Sequence, residues 1–133
     1  MTTLPSVIIL ALTLALEGRS EGESGMRNIG SVIWTSAESQ TIDGLAHECL
    51  RPKRFSCWNG RAPSFDDIEM LSHTIPDREA YRTALKIAYE MQAGKFVPTV
   101  DATHYLVAGT NAPWKAAMKL VEVVGKHEFY REV

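Results

Sequence analysis

Three glutamates, Glu17, Glu21 and Glu23, are the residues of this chain best placed to do chemistry. Glu17 follows directly on an apolar run, Val7 to Leu16, that only Thr13 interrupts. A carboxyl at the C-terminal end of a buried helix is desolvated and sits at the negative end of the helix dipole. Both effects favour the neutral acid, and an acid kept protonated near neutral pH can donate to a leaving group. Glu21 lies four residues on and Glu23 six on, so a second carboxylate could stand close by. Equally, the three could do no more than solvate a turn, because Gly18, Gly22 and Gly25 break up the stretch.

Other reactive groups are less suggestive. His47, His73, His104 and His127 are scattered, without a His-x-x-x-His or His-Glu-x-x-His helix motif. Only His104 and His127, on neighbouring strands, would be a pair to hold a metal; ordinary hydrogen-bonded histidines fit better, and no metal or cofactor is expected. Cys57 lacks the local context of a cysteine nucleophile. Cys49 and Cys57 could be bridged across a turn at Pro52, but synthesis in a cytoplasm makes free thiols the expectation. The aromatics Phe55, Trp58, Tyr105, Trp114 and Tyr130 flank polar segments, where flat faces suit sugar rings or, as readily, core packing. There is no phosphate-binding loop, dinucleotide fingerprint or nucleophile elbow.

The elements that must hold these residues read mostly as helices. An all-apolar helix over residues 4–17, with Thr3 as N-cap, fits a buried core position. The run is too short to span a membrane, which needs about 20 apolar residues. No basic residue precedes Arg19, so it does not read as a cleaved signal peptide, and a non-cleaved signal-anchor is the alternative to a core helix. An amphipathic helix is predicted from Met26 to Ala37, and a shorter one from Ile42 to Leu50, stopped by Pro52. Phe55–Asn59 reads as extended, leading into a Gly-Arg-Ala-Pro loop at 60–63. Ser64 with Asp67 resembles a capping box for a helix over 65–73. A further helix starts at Pro76-Asp77, carries Ala80, Tyr81, Ala84, Leu85, Ala88 and Met91 on one face, and stops before Gly94. Ala102–Val107 reads as extended, residues from Asn111 to Gly125 as a last helix, and Lys126–Arg131 as a closing strand.

With 133 residues, 45% of them hydrophobic, the chain is sized for one globular domain with a real core. Its formal charge of −2 excludes the cationic excess of a nucleic-acid or membrane-surface binder. Two cysteines exclude a disulfide scaffold.

Several blocks of the sequence carry a family resemblance. Leu16-Glu17-Gly18-Arg19-Ser20-Glu21, with Gly25 and the helix through Val32, resembles the Gly-Glu-Ala-Arg-Gly-Glu motif of the cell wall hydrolase family that includes the bacterial spore cortex-lytic enzymes. Pro52–Asn59 is similar to that family's Gln-Phe-Ser segment. Ala102-Thr103-His104-Tyr105, Pro113-Trp114 and Gly125–Tyr130 are similar to its Ala-Thr-His-Tyr and Gly-x-His-x-Phe-Tyr blocks. The chain departs from the pattern at Thr35-Ser36, where the family carries Asn-Arg, and at Arg54, where it carries Gln.

The elements sum to a mostly helical α+β single domain over residues 1–133 with a small antiparallel sheet, and the resemblance implies that it is lysozyme-like. It implies cleavage of the peptidoglycan glycan strand, with Glu17 as catalytic acid and Phe55, Ser56, Trp58, His104 and Tyr105 beside the substrate. Glu21 is expected to support Glu17 rather than act as nucleophile. With one well-motivated carboxyl, a lytic transglycosylase is expected ahead of a hydrolytic muramidase, which usually needs two. A non-catalytic glycan-binding wall protein is the competing class. The short chain without an export signal reads as a phage endolysin, made in the host cytoplasm and reaching the wall after the membrane is breached. A monomer is expected, without nucleic-acid partners or stable membrane association.

Overall fold

The computed structural model describes residues 4–51, 54–58 and 64–133, and their side chains except those of Leu4, Pro5, Arg19 and Phe65. The expectations for Thr3 as a cap, for Pro52, for Asn59 and for the loop 60–63 lie outside these residues. Five α-helices come first: α1 (Leu4–Gly18), α2 (Gly22–Ser36), α3 (Ile42–Cys49), α4 (Phe65–Thr74) and α5 (Arg78–Gln92). Three strands follow, β1 (His104–Val107), β2 (Met118–Val124) and β3 (His127–Glu132), in the antiparallel order β1-β3-β2. The chain is thus mostly helical α+β with a small antiparallel sheet.

α1 is the axis of the core. Leu10, Ala11, Leu12, Thr13, Leu14 and Ala15 are fully buried, because α2, α3, α4 and α5 all pack against it. Each buried leucine contributes roughly 1.5–3 kcal/mol, which explains why a helix with no amphipathic stripe forms here. No described helix is long and apolar enough to cross a membrane. The helix starts follow the expected chemistry. Thr41 accepts from the Gly44 amide, Ser64 and Asp67 form a reciprocal capping box, and Asp77 caps α5 through the Ala80 amide.

α1 and α2 are joined by a single tight turn, Arg19–Glu21, and Gly22 takes φ +72° to let α2 begin. α2 then pairs with α5 through Arg27, which donates to both carboxylate oxygens of Glu90 at 2.9 and 3.0 Å. A second, smaller core of Val32, Val100, Ala102 and Phe129 fastens the sheet to α2. Tyr105 packs against both cores.

Two segments differ from the sequence reading. Residues 113–124 are not a helix. They form a short 3₁₀ turn, Lys115–Ala117, and then β2, which pairs with β3 from Met118↔Glu132 to Val124↔His127. The spacing of Trp114, Ala117, Met118 and Val121 mimics a helical period. The β-branched residues Val121, Val123 and Val124 prefer a pleated strand, and Gly125-Lys126 is a two-residue hairpin turn with Gly125 at φ +58°. Phe55–Trp58 is not extended either, since Ser56–Trp58 is a 3₁₀ turn closed by the Trp58 amide on the Phe55 carbonyl at 3.0 Å.

Candidate active site

A cleft of about 910 Å³ opens between the end of α1 and the segment around Phe55 on one side, and β1 with the following loop on the other. Its described lining comprises Glu17, Arg51, Arg54, Phe55, Ser56, His104, Tyr105, Leu106, Val107, Thr110, Asn111, Ala112 and Trp114. Glu17 is the single carboxylate among them. Aromatic rings from Phe55, His104, Tyr105 and Trp114 share its walls with three charged residues, Glu17, Arg51 and Arg54.

Glu17 is half-buried in the last turn of α1. Its Oε1 accepts from the Tyr105 hydroxyl at 3.0 Å. Its Oε2 faces the Ser56 hydroxyl and the Cys57 amide, each at 3.3 Å. The carboxylate is therefore oriented from two sides, by β1 and by the 3₁₀ turn after Phe55. That turn is itself anchored, because the Trp58 indole Nε1 donates to buried Thr13 in α1 at 2.8 Å. Tyr105 is an unusually committed donor: burial, and then the charge of Glu17, push its hydroxyl well above the ordinary phenol range. It stays protonated at any working pH. Tyr105→Phe keeps the ring packing and removes only this donor. The variant should fold normally and turn over about tenfold or more slowly, the worth of one hydrogen bond to a charged group. Initial rates on saturating purified sacculi, with a thermal melt as control, check it. An undiminished rate would deny the hydroxyl an orienting role.

His104 and Trp114 form an aromatic wall, with ring centroids 4.9 Å apart, and Tyr130 packs on Trp114 at 5.5 Å. Burial, and then the nearby Arg54 charge, hold His104 below its ordinary value, so it presents a neutral ring. Its Nδ1 shares a hydrogen bond with the Thr103 hydroxyl at 3.0 Å.

Of the residues singled out in the sequence, Glu17, Phe55, Ser56, His104 and Tyr105 come together at this cleft. Trp58 does not line it. That side chain is 5% exposed and serves the core through Thr13, which corrects its expected place beside the substrate. Glu21 does not line it either. Its Oε1 accepts from the Lys126 amide at 3.3 Å and lies 4.0 Å from His127 Nδ1, so it ties the α1–α2 junction to the β2–β3 turn. A Cβ on Gly125 would meet this carboxylate, the movable end of a flexible side chain, so it is the φ of +58° that calls for glycine here. Its link to Glu17 is indirect, through the His127 ring packed edge-on to Tyr105 at 5.1 Å. Glu23 points to the helices, bound to Arg27 and Lys86.

Trp114, Arg51 and Arg54 are among the lining residues that sequence reasoning did not assign to the site. Trp114 counts among the flanking aromatics in the sequence but falls on the expected helix; a strand reading of Leu120–Val124 would have put it in a loop facing β1. Cys49 and Cys57 are both free thiols, as expected. Burial pushes the Cys49 thiol up to about 12 and raises that of Cys57 still further, so neither is an activated nucleophile. No described group of His, Cys, Asp and Glu side chains is arranged to hold a metal.

Fold and cleft together define a mostly helical α+β protein with a carboxylate-bearing cleft. Residues 20–130 match the family described as cell wall hydrolase, and the chain belongs to that family. It is thus an enzyme of peptidoglycan breakdown. No curated protein and no solved structure matches the chain. The matched residues begin three positions after Glu17, so the role of Glu17 is argued from the cleft.

Proposed function

We propose that this enzyme cleaves the β-1,4 bond between N-acetylmuramic acid and N-acetylglucosamine as a lytic transglycosylase, with Glu17 as its acid and base. The observation that carries the reading is that, among the described residues lining a cleft of this size, Glu17 is the single carboxylate. Hydrolytic glycosidases usually place two carboxyl groups about 5–9.5 Å apart across the scissile bond. Here Glu21 and Glu23 are both engaged elsewhere. Protonated Glu17 gives its proton to the glycosidic oxygen as the bond to muramic C1 breaks. The C6 hydroxyl of the same muramic acid then attacks C1, and the Glu17 carboxylate takes the hydroxyl proton. No water is consumed, the product is a 1,6-anhydro end, and Glu17 is protonated again. The attacking group belongs to the substrate, so its effective concentration is high without an enzyme-held water. Tyr105, Ser56 and the Cys57 amide keep the carboxylate aimed through both proton transfers. The His104–Trp114 wall supplies apolar faces for the sugar rings. On this reading the enzyme serves as a phage endolysin in host cell lysis.

Mass spectrometry of digested sacculi tests the reaction. Anhydromuramic ends, lighter by one water than reducing ends, are the expected product. Reducing ends alone would make the enzyme a hydrolytic muramidase. Binding to sacculi without any released muropeptide would make it a glycan-binding protein.

A further inference from the structure

The proton-transfer chemistry leaves two cations of the cleft unused. Arg51 and Arg54 both line it, and the carboxylate between them is Glu48, which is 2% exposed. Arg51 Nη1 reaches the two Glu48 oxygens at 2.9 and 3.1 Å. Arg54 Nε lies 2.9 Å from Glu48 Oε2 but is not aligned for a hydrogen bond, while its Nη2 donates to Ser36 Oγ and to the Thr103 carbonyl. One carboxylate thus faces two guanidinium groups, and a positive charge is left over. His104 adds none, being held neutral by burial and by Arg54. Among the described residues only Glu48 accepts from the Arg51 side chain, which is 55% exposed at the mouth of the cleft. The fork has donors to spare beyond the Nη1 that Glu48 engages.

A guanidinium fork with spare donors matches a carboxylate. On the glycan-cleaving reading above, the sugar backbone of the substrate is neutral, and its carboxylates belong to the peptide stem on the muramic lactyl group. We propose that Arg51, backed by Arg54, is a carboxylate subsite that reads the anionic peptide stem. The enzyme then selects glycan whose stems carry free carboxylates.

Two preparations of purified sacculi test this, one untreated and one with its stem carboxylates converted to amides by carbodiimide and ammonia. Wild type should release muropeptides from the untreated sacculi about tenfold faster, the worth of one charged hydrogen bond. Arg51→Gln should bring that ratio close to one. Arg54→Gln should do the same, and because Arg51 is exposed, Arg51→Gln decides the matter if Arg54→Gln fails to fold. Equal wild-type rates, or an unchanged ratio in Arg51→Gln, would overturn the subsite and leave the glycosidase reading intact. Cleavage of neither preparation would end the glycosidase reading instead. Calorimetry then decides the subsite separately, using the muramyl dipeptide N-acetylmuramyl-L-alanyl-D-glutamate and its diamide. Tighter binding of the acid, lost in Arg51→Gln, supports the subsite; equal binding, or none, overturns it.

Discussion

Glu17→Gln is expected to keep the fold and to lower muropeptide release by about 10²–10⁴-fold, the usual contribution of a positioned general acid. The amide nearly matches the carboxyl in size. Its oxygen can still accept from the Tyr105 hydroxyl, which holds Oε1 at 3.0 Å in the native protein. What it cannot do is give a proton to the glycosidic oxygen or later take one from the C6 hydroxyl. The loss should appear in turnover and leave binding to sacculi in place, so sedimentation with intact sacculi separates the two. Glu21→Gln is the matched control. Its carboxylate accepts from the Lys126 amide, which an amide oxygen does as well, and it lies outside the cleft lining. It should therefore cost much less than Glu17→Gln. Wild-type lysis by Glu17→Gln, or the reverse ranking of the two variants, would remove Glu17 from the reaction.

What the sequence disclosed was local. The uniform apolarity of Val7–Leu16 announced a buried helix, and with it a carboxyl delivered to the rim of the core at Glu17. The Ser64–Asp67 box, the Asp77 cap and Gly94 beyond α5 were legible because each is a short-range contact between neighbours in the chain. The misread parts depend on partners distant in sequence. β2 is a strand because β3 is beside it, yet its own residues also fit a helical period. Trp58 flanks a polar loop, as a groove aromatic would, but Thr13, 45 residues away, supplies the acceptor that draws its indole inward. Glu21 shares a motif with Glu17, and the glycine-broken turn after α1 sends it to the hairpin instead. The two departures from the family pattern, at Ser36 and Arg54, are 18 residues apart in sequence. In the fold they touch, with Arg54 Nη2 donating to Ser36 Oγ at 2.8 Å. An arginine absent at one position is matched by one present at the other.

That exchange makes Glu48 the residue on which stability should depend most sharply. Its side chain is 2% exposed and its charge is balanced by Arg54, itself only 13% exposed, and by Arg51 at the surface. Burial pulls the Arg54 guanidinium below its ordinary value, and Glu48 is the main group opposing that pull. Glu48→Ala would leave a cation confined among Ser36, Thr103 and Phe55 with no counter-charge. Removing one partner of a buried pair costs about 3–5 kcal/mol. Domains of this size have roughly 5–15 kcal/mol in total, so the melting temperature should fall by roughly 10–20 °C. Removing both charges is a different matter, because a pair replaced together leaves nothing uncompensated. The double variant Glu48→Ala, Arg54→Gln should therefore recover much of the loss, because the carboxylate and its buried cation are removed together. Denaturant unfolding of the wild type, both single variants and the double gives the coupling directly. A coupling near zero would mean that water reaches the pair and that Arg54 is held by its neutral acceptors alone. A large one would mean that the cation at the cleft is kept in place by a carboxylate the substrate never meets.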